Sequence, residues 1–336
     1  MKKAALIIAI ILTAAGAAIF TGALAASNFD FSALVNGKGK QMEEHITEIT
    51  DEFRNIEIDV KVSDVEFRHA EDGAVKVVAL ESEKIRHIVT VENDTLKIQS
   101  VEEKWKWFDF SWLSAKTPSV TVYLPENLYE NLSISATTGD VCIPDGFVFG
   151  KADVEVSTGD VELSGGVRTT LRVRTTTGDI RIKGIAAWGM DLEVSTGKIT
   201  VNSGSAGYMS AASTPELVNY GTVSIRVGTG ALLMEDFTCG MLESTGGTGR
   251  IQLKNVVTRN GIFLKRGTGD IRFESCDAEN GAITIETSTG DVRGTFKTGK
   301  NFTARSSTGH VHVPDSASGI PCKVTTSTGD IDITVE

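Results

Sequence analysis

Val156-Ser157-Thr158-Gly159-Asp160-Val161-Glu162-Leu163 reads as a strand end, a turn and the start of a second strand, and near copies of it recur along most of the chain. A threonine followed by glycine stands at Gly139, Gly159, Gly178, Gly197, Gly230, Gly249, Gly269, Gly290, Gly309 and Gly329, in steps of 20, 19, 19, 33, 19, 20, 21, 19 and 20 residues. A fixed period near twenty means a stacked array. The residue types suit a corner: glycine takes a positive φ, aspartate accepts bonds from turn amides, and β-branched threonine tolerates half exposure.

Counting from each glycine, positions minus seven, minus five, plus two and plus four are mostly apolar, as in Ala152, Val154, Val161 and Leu163, or Leu171, Val173, Ile180 and Ile182. Alternation of period two marks strands, so each copy reads as strand, turn, strand and a loop back. One copy holds only a handful of inward side chains, whereas ordering its backbone costs ~1–2 kcal/mol per residue, so copies must stack. The predicted architecture is all-β: a single elongated β-solenoid of ~20-residue rungs at ~4.8 Å per rung, with a β-rich N-terminal cap. Its structural turns are Gly139, Asp140, Gly159, Asp160, Gly178, Asp179, Gly269, Asp270, Gly290, Asp291, Gly329 and Asp330, in register along one edge.

Composition agrees. The 336 residues include 34 glycines but only 14 Phe, 4 Tyr and 4 Trp, which fits a turn-rich β protein rather than a helical bundle. A net charge of −11, from 33 basic and 44 acidic residues, disfavours nucleic acid, whose phosphates need a basic stripe. Residues 1–26 run from Met-Lys-Lys into an uncharged stretch ending at Ala26, which predicts export. Two fates stay open: a signal peptide cut near Ala23-Leu24-Ala25, or a retained anchor, for which the apolar run is long enough. The expected location is extracytoplasmic, at the membrane through the N-terminal segment or secreted after cleavage.

Residues 27–52 lack periodicity and read as a linker. From Asn55 alternation begins, and Ser63-Asp64-Val65-Glu66-Phe67 looks like a shortened repeat turn, so residues 53–130 form the cap with degenerate first rungs and 131–336 the clear repeats. Within the 33-residue step a weak rung is expected, with Ser213-Thr214-Pro215 as its turn and Tyr208 and Leu217 inward. Nothing resembling a long tail or sorting signal follows the last turn, and the final strand is expected to be an open edge. Cys142 and Cys322 fall in the first and last clear rungs and Cys239 and Cys276 two rungs apart, beyond the ~7 Å Cα limit of a disulfide, so free thiols are expected. Trp105 to Trp112 reads Trp-Lys-Trp-Phe-Asp-Phe-Ser-Trp and holds three of the four tryptophans. It is read as a plug over the end of the core, with a membrane or partner contact through Trp105, Trp107, Phe108, Phe110 and Trp112 as the rival.

The N-terminal apolar segment, the cap motifs Lys106-Trp107-Phe108 and Val120-Thr121-Val122-Tyr123-Leu124-Pro125, and the repeated Ser-Thr-Gly-Asp-Val/Ile together resemble the bacterial "putative adhesin" family of β-strand-repeat proteins, a family of unknown function, over residues 50–336. The resemblance implies a non-enzymatic module of the cell envelope, adhesin-like or a scaffold, facing a surface glycan or an envelope protein. An accessory or sensor of an envelope-stress response that binds a membrane partner is the alternative. Lys198, Ala231, Arg250 and His310 depart from the family pattern by replacing the turn aspartate.

Chemistry is sparsely encoded. The stacked aspartates offer hard oxygen ligands for calcium, but the nine-residue Gly-Gly-x-Gly-x-Asp repeat of calcium-binding rolls is absent, so capping within the turn is expected. His310 and His312 share an outward face without a third ligand at metal spacing, and no metal or other cofactor is assigned. A polysaccharide-active β-helix enzyme, the remaining rival, needs a carboxylate constellation in a cleft, and the short loops build none. No catalytic residue is assigned.

Overall fold

The computed structural model describes residues 42–82, 85–102, 117–209, 217–315 and 318–336, which form 26 strands and no helix. Alternation decides which side of each strand is buried. In Val148–Thr158, Ala152, Val154 and Val156 are buried while Lys151, Glu155 and Ser157 are exposed. Parallel pairing then continues each inward position from rung to rung, giving a file that runs Ile56, Leu132, Ala152, Leu171, Met190, Val223, Leu242, Ile262, Ile283, Cys322 and Phe302. A second file, on the strands that follow the turns, runs from Val65 through Val141, Val161, Ile180, Ile199, Leu232, Ile251, Ile271, Val292 and Ile331 to Val311. The core is the apolar column between these two parallel sheets.

The cap continues both sheets. Thr95–Glu102 lies parallel to Asn55–Val62, and Ser119–Leu124 parallel to Asp64–His69. Outside them the pairing turns antiparallel, through Ile85–Glu92 on one sheet and Val75–Glu81 on the other. The stretch expected to be linker contributes one of these strands: Glu43–Ile49 pairs antiparallel with Val75–Glu81 along seven residues. Residues 103–116, which hold the tryptophan-rich stretch from Trp105 to Trp112, and residues 1–41 lie outside the described residues.

Two expectations about the array are overturned. No rung fills the 33-residue step, because Met190 pairs directly with Val223 and Ile199 with Leu232. The extra residues form an antiparallel hairpin, with Gly207 opposite Tyr220, Tyr208 opposite Asn219 and Met209 opposite Leu217. Asn202 to Ala206 still pair with the rungs on either side, Asn202 with Lys183 and Glu235 and Ser205 with Ala186 and Thr238, and only from Gly207 does the chain leave the column to pair with itself.

The final strand is not the open edge. Ile320–Thr328 pairs with Ile283–Thr289 on one side and Lys300–Ser306 on the other, and Ile331–Val335 likewise lies between Val292–Phe296 and Val311–His312. The chain therefore overshoots by one rung, then returns and inserts its last rung into the gap. Lys300, at the start of the outermost strand, is fully buried there. Its ammonium pairs with the Asp277 carboxylate, which also accepts the Ala278 amide at 2.8 Å and the Thr298 hydroxyl at 3.2 Å. The four cysteines are free as expected, Cys142 exposed and the others buried, with Cys322 in the inward file.

Candidate functional site

The glycine corner is the most regular feature of the surface. Gly178 has a φ of 138°, and a Cβ there would overlap the carbonyl oxygen of Gly159, so both conformation and space demand glycine. The same close approach links Ser63, Gly139, Gly159, Gly178, Gly197, Gly230, Gly249, Gly269, Gly290, Gly329 and Gly309 in that order. Ser63 is thus the first turn of the stack.

The aspartates cap amides, but across rungs rather than within their own turns. Asp64 Oδ1 accepts the Asp140 amide at 2.9 Å, Asp140 that of Asp160 at 2.8 Å, Asp160 that of Asp179 at 2.7 Å, and Asp179 that of Lys198 at 2.9 Å. A second ladder runs from Asp270 to the Asp291 amide at 3.0 Å, from Asp291 to Asp330 at 2.9 Å, and from Asp330 to His310 at 2.9 Å. This geometry explains one of the substitutions: His310 receives the last bond of its ladder on the outermost rung, where among the described residues no further amide awaits a carboxylate, whereas Lys198 ends the first ladder with the Ala231 turn still beyond it. Between the ladders, Lys198, Ala231 and Arg250 carry no carboxylate.

The outer carboxylate oxygens meet arginines three residues beyond the glycines. Arg181 reaches Asp160 at 2.7 Å and Asp179 at 3.0 Å, and Arg293 reaches Asp291 at 2.8 Å. Burial opposes ionisation of Asp160, but the Asp179 amide and Arg181 outweigh it and hold its carboxyl below the usual range. The His310 amide lowers Asp330 in the same way. Among the described residues no group of three or more His, Cys, Asp or Glu is placed to hold a metal ion. His312 faces Asp332 at 3.0 Å and His310 faces Asp330 at 3.6 Å.

Sequence reasoning missed a polar cluster at the cap. Ser63 Oγ lies 2.9 Å from His87 Nε2, and His87 Nδ1 lies 3.3 Å from Glu81 Oε1, in an order reminiscent of a hydrolase triad. Catalysis is opposed by its surroundings. Ser63 is fully buried, its hydroxyl donates to the Val62 carbonyl at 2.7 Å, and the amides of Ser63 and Asp64 are taken by the carbonyls of Thr138 and Pro118. The two amides nearest the hydroxyl in sequence are thus unavailable as an oxyanion site. Burial lowers the pKa of His87 despite the opposing pull of Glu81. The cluster ties the cap strands to the first turn. Its one sequence signal was His87 on the apolar phase of its strand, between Ile85 and Val89.

The hairpin inserted after Gly197 leaves the column continuous, and an aromatic side chain is exposed at its base. Trp188 is 42% exposed, and Gly221 lies so close that a Cβ would overlap the Trp188 carbonyl. Three residues further along that strand Asp191 gathers Arg174 at 3.2 Å and Arg226 at 2.9 Å, and both arginines also reach Glu193. Trp188 is the one tryptophan outside the Trp105–Trp112 stretch, and between Ala187 and Gly189 it lacks the aromatic neighbours that mark the other three in the sequence.

Parallel rungs with glycine corners around one apolar column define a β-solenoid class of protein. The chain belongs to the Toastrack family, DUF4097, whose model matches it twice, over residues 53–216 and 215–336. The two matches meet within the inserted hairpin. Solved structures of similar shape include a "putative adhesin" from Bacteroides fragilis (14% identity, 89% of this chain and 98% of that one, TM-score 0.37). Another "putative adhesin", from Parabacteroides distasonis, is 10% identical with a TM-score of 0.45, covering 88% of this chain and 98% of that one. A "putative lipid binding protein" from the same organism is 13% identical with a TM-score of 0.30, again covering 88% and 98%. No curated protein has significant sequence similarity to the chain.

Proposed function

We propose that this protein is a non-enzymatic binding module of the cell envelope, adhesin-like or a scaffold, held on the extracytoplasmic side by its N-terminal segment. The observation that carries the reading is the hairpin with exposed Trp188 at its base, on the strand that three residues further on carries Asp191 and its Arg174, Glu193 and Arg226 strip. An exposed indole beside paired charges suits the face of a sugar ring or the rim of a protein contact. The corner carboxylates are engaged by amides and arginines, and the Ser63 and Asp64 amides are taken by backbone carbonyls, which favours binding over turnover.

The test is a glycan array and in-cell crosslinking with the wild-type chain and Trp188→Ala, alongside a polysaccharide-cleavage screen. A glycan or envelope protein whose capture falls roughly tenfold in Trp188→Ala, with unfolding unchanged, supports the reading. Turnover abolished by changing one acidic residue sinks it. Crosslinks to a membrane protein that appear only in membrane-stressed cells select the stress-response alternative.

A further inference from the structure

The outermost rung keeps the alternation of the others, and among the described residues nothing is stacked on it. Val311 is 43% exposed, whereas Ile331, its register partner one rung inside, is 1% exposed. Phe302, Ala304 and Val313 are half-buried, and Lys300–Ser306 pairs among the described residues only with Ile320–Thr328, so its other row of backbone groups is open. Natural edges are usually blunted by proline, a bulge or an inward-pointing charge. This strand has no proline, and its one inward cation, Lys300, is withdrawn to Asp277.

A lone peptide strand would cover one sheet of this end and leave Val311 and Val313 bare. The occupant that fits both sheets is another solenoid end. An antiparallel pairing of two Lys300–Ser306 edges about Thr303 sets Phe302 against Ala304 of the partner subunit and Asn301 against Arg305 of the partner subunit. Large meets small and no like charges face each other. The cap adds an independent argument. A copy stacked head-to-tail would bring Ile85–Glu92 and Glu43–Ile49 to this end, antiparallel strands with no glycine turn to continue the corner, whereas a two-fold arrangement joins like ends and sends the two glycine corners to opposite edges. We propose that the chain forms a two-fold, end-to-end dimer in which the Lys300–Ser306 edges of two copies pair antiparallel about Thr303 and join their apolar columns.

The experiment uses the full chain in mild detergent, with exposed Cys142 changed to serine. Opposed residues of an antiparallel pair have Cα atoms about 4.5–5.5 Å apart, within disulfide reach, so Thr303→Cys is expected to give a covalent dimer on mild oxidation while Glu162→Cys, on a mid-column outward position, stays monomeric. Ala304→Phe sets two phenyl rings against each other and should weaken dimerisation by roughly tenfold or more, and adding Phe302→Ala, which reverses the large and small partners, should restore it. Absence of the Thr303→Cys crosslink, equal crosslinking at both positions, a ladder of species beyond dimer, or failure of the double swap to restore association would each overturn the proposal.

Discussion

A corner glycine here answers to two constraints at once, its own φ and the carbonyl of the glycine beneath it. Gly178→Ala should therefore cost at least about 2 kcal/mol in a denaturant titration, whereas Gly184→Ala, at a φ of 65° with open space around it, should cost only about 1 kcal/mol. Equal losses would show that φ alone matters. The aspartates give a pH signature. The folded pKa of Asp160 lies below its unfolded value, so its stabilisation is present above about pH 4 and is lost as pH falls through the folded pKa. Asp160→Asn should cost about 1 kcal/mol or less at pH 7, because the pair is half exposed, and nothing near pH 2. A deficit that persists at pH 2 would assign the loss to packing. Turn glycines and aspartates were legible from spacing, but the carboxylates' partners were not, since a sequence does not say which amide lies one rung away. The same limit hid Arg266, which is buried, with its guanidinium in the space left by Gly246 and, among the described residues, long bonds to Ser244 at 3.5 Å and the Lys265 carbonyl at 3.3 Å. Burial pushes its pKa down to about 10. Arg266→Met should be neutral or stabilising, by up to about 2 kcal/mol, and a clear loss of stability would reveal a counter-charge.

Strands were read where alternation was long and strong, and missed where polar residues took the apolar phase. Glu43–Ile49 escaped because three of its seven residues are glutamate, and it holds its place by edge pairing rather than burial. The inserted hairpin reads as a weak rung because Tyr208 and Leu217 fall on the inward phase, whereas Met190 pairs directly with Val223 and leaves no gap for one. Excising residues 208–219 to join Gly207 to Tyr220, which already face each other, should change stability by no more than about 1 kcal/mol. A weak rung would instead cost several times that, through exposure of its neighbours. The Lys300–Asp277 pair belongs to the same scale, for it fixes the climb to the outermost strand. Lys300→Met alone should cost about 3–5 kcal/mol by stranding a buried carboxylate, and Lys300→Met with Asp277→Leu should recover most of it in a double-mutant cycle.

At the scale of the molecule, two Toastrack matches share one uninterrupted column, and the hairpin marks where they join. Period and phase carried the column's existence, since each rung buries its inward side chains only against its neighbours. They did not carry the order of the last rungs, because every copy presents the same face and a local pattern cannot tell a neighbour in sequence from a neighbour in space. That order has a consequence for how the end opens. In a stack built in chain order, Ile320–Thr328 and Ile331–Val335 would be the end rung and would fray first. Here they are enclosed by pairing on both sides, whereas Lys300–Ser306 and Val311–His312 are paired on one. Amide exchange follows local opening, so protection should rise from Lys300–His312 to Ile320–Val335 even though the latter are the chain's last strands. Exchange followed by mass spectrometry, at a dilution where the chain is monomeric, resolves the two segments; faster exchange in Ile320–Val335 would return the rungs to chain order.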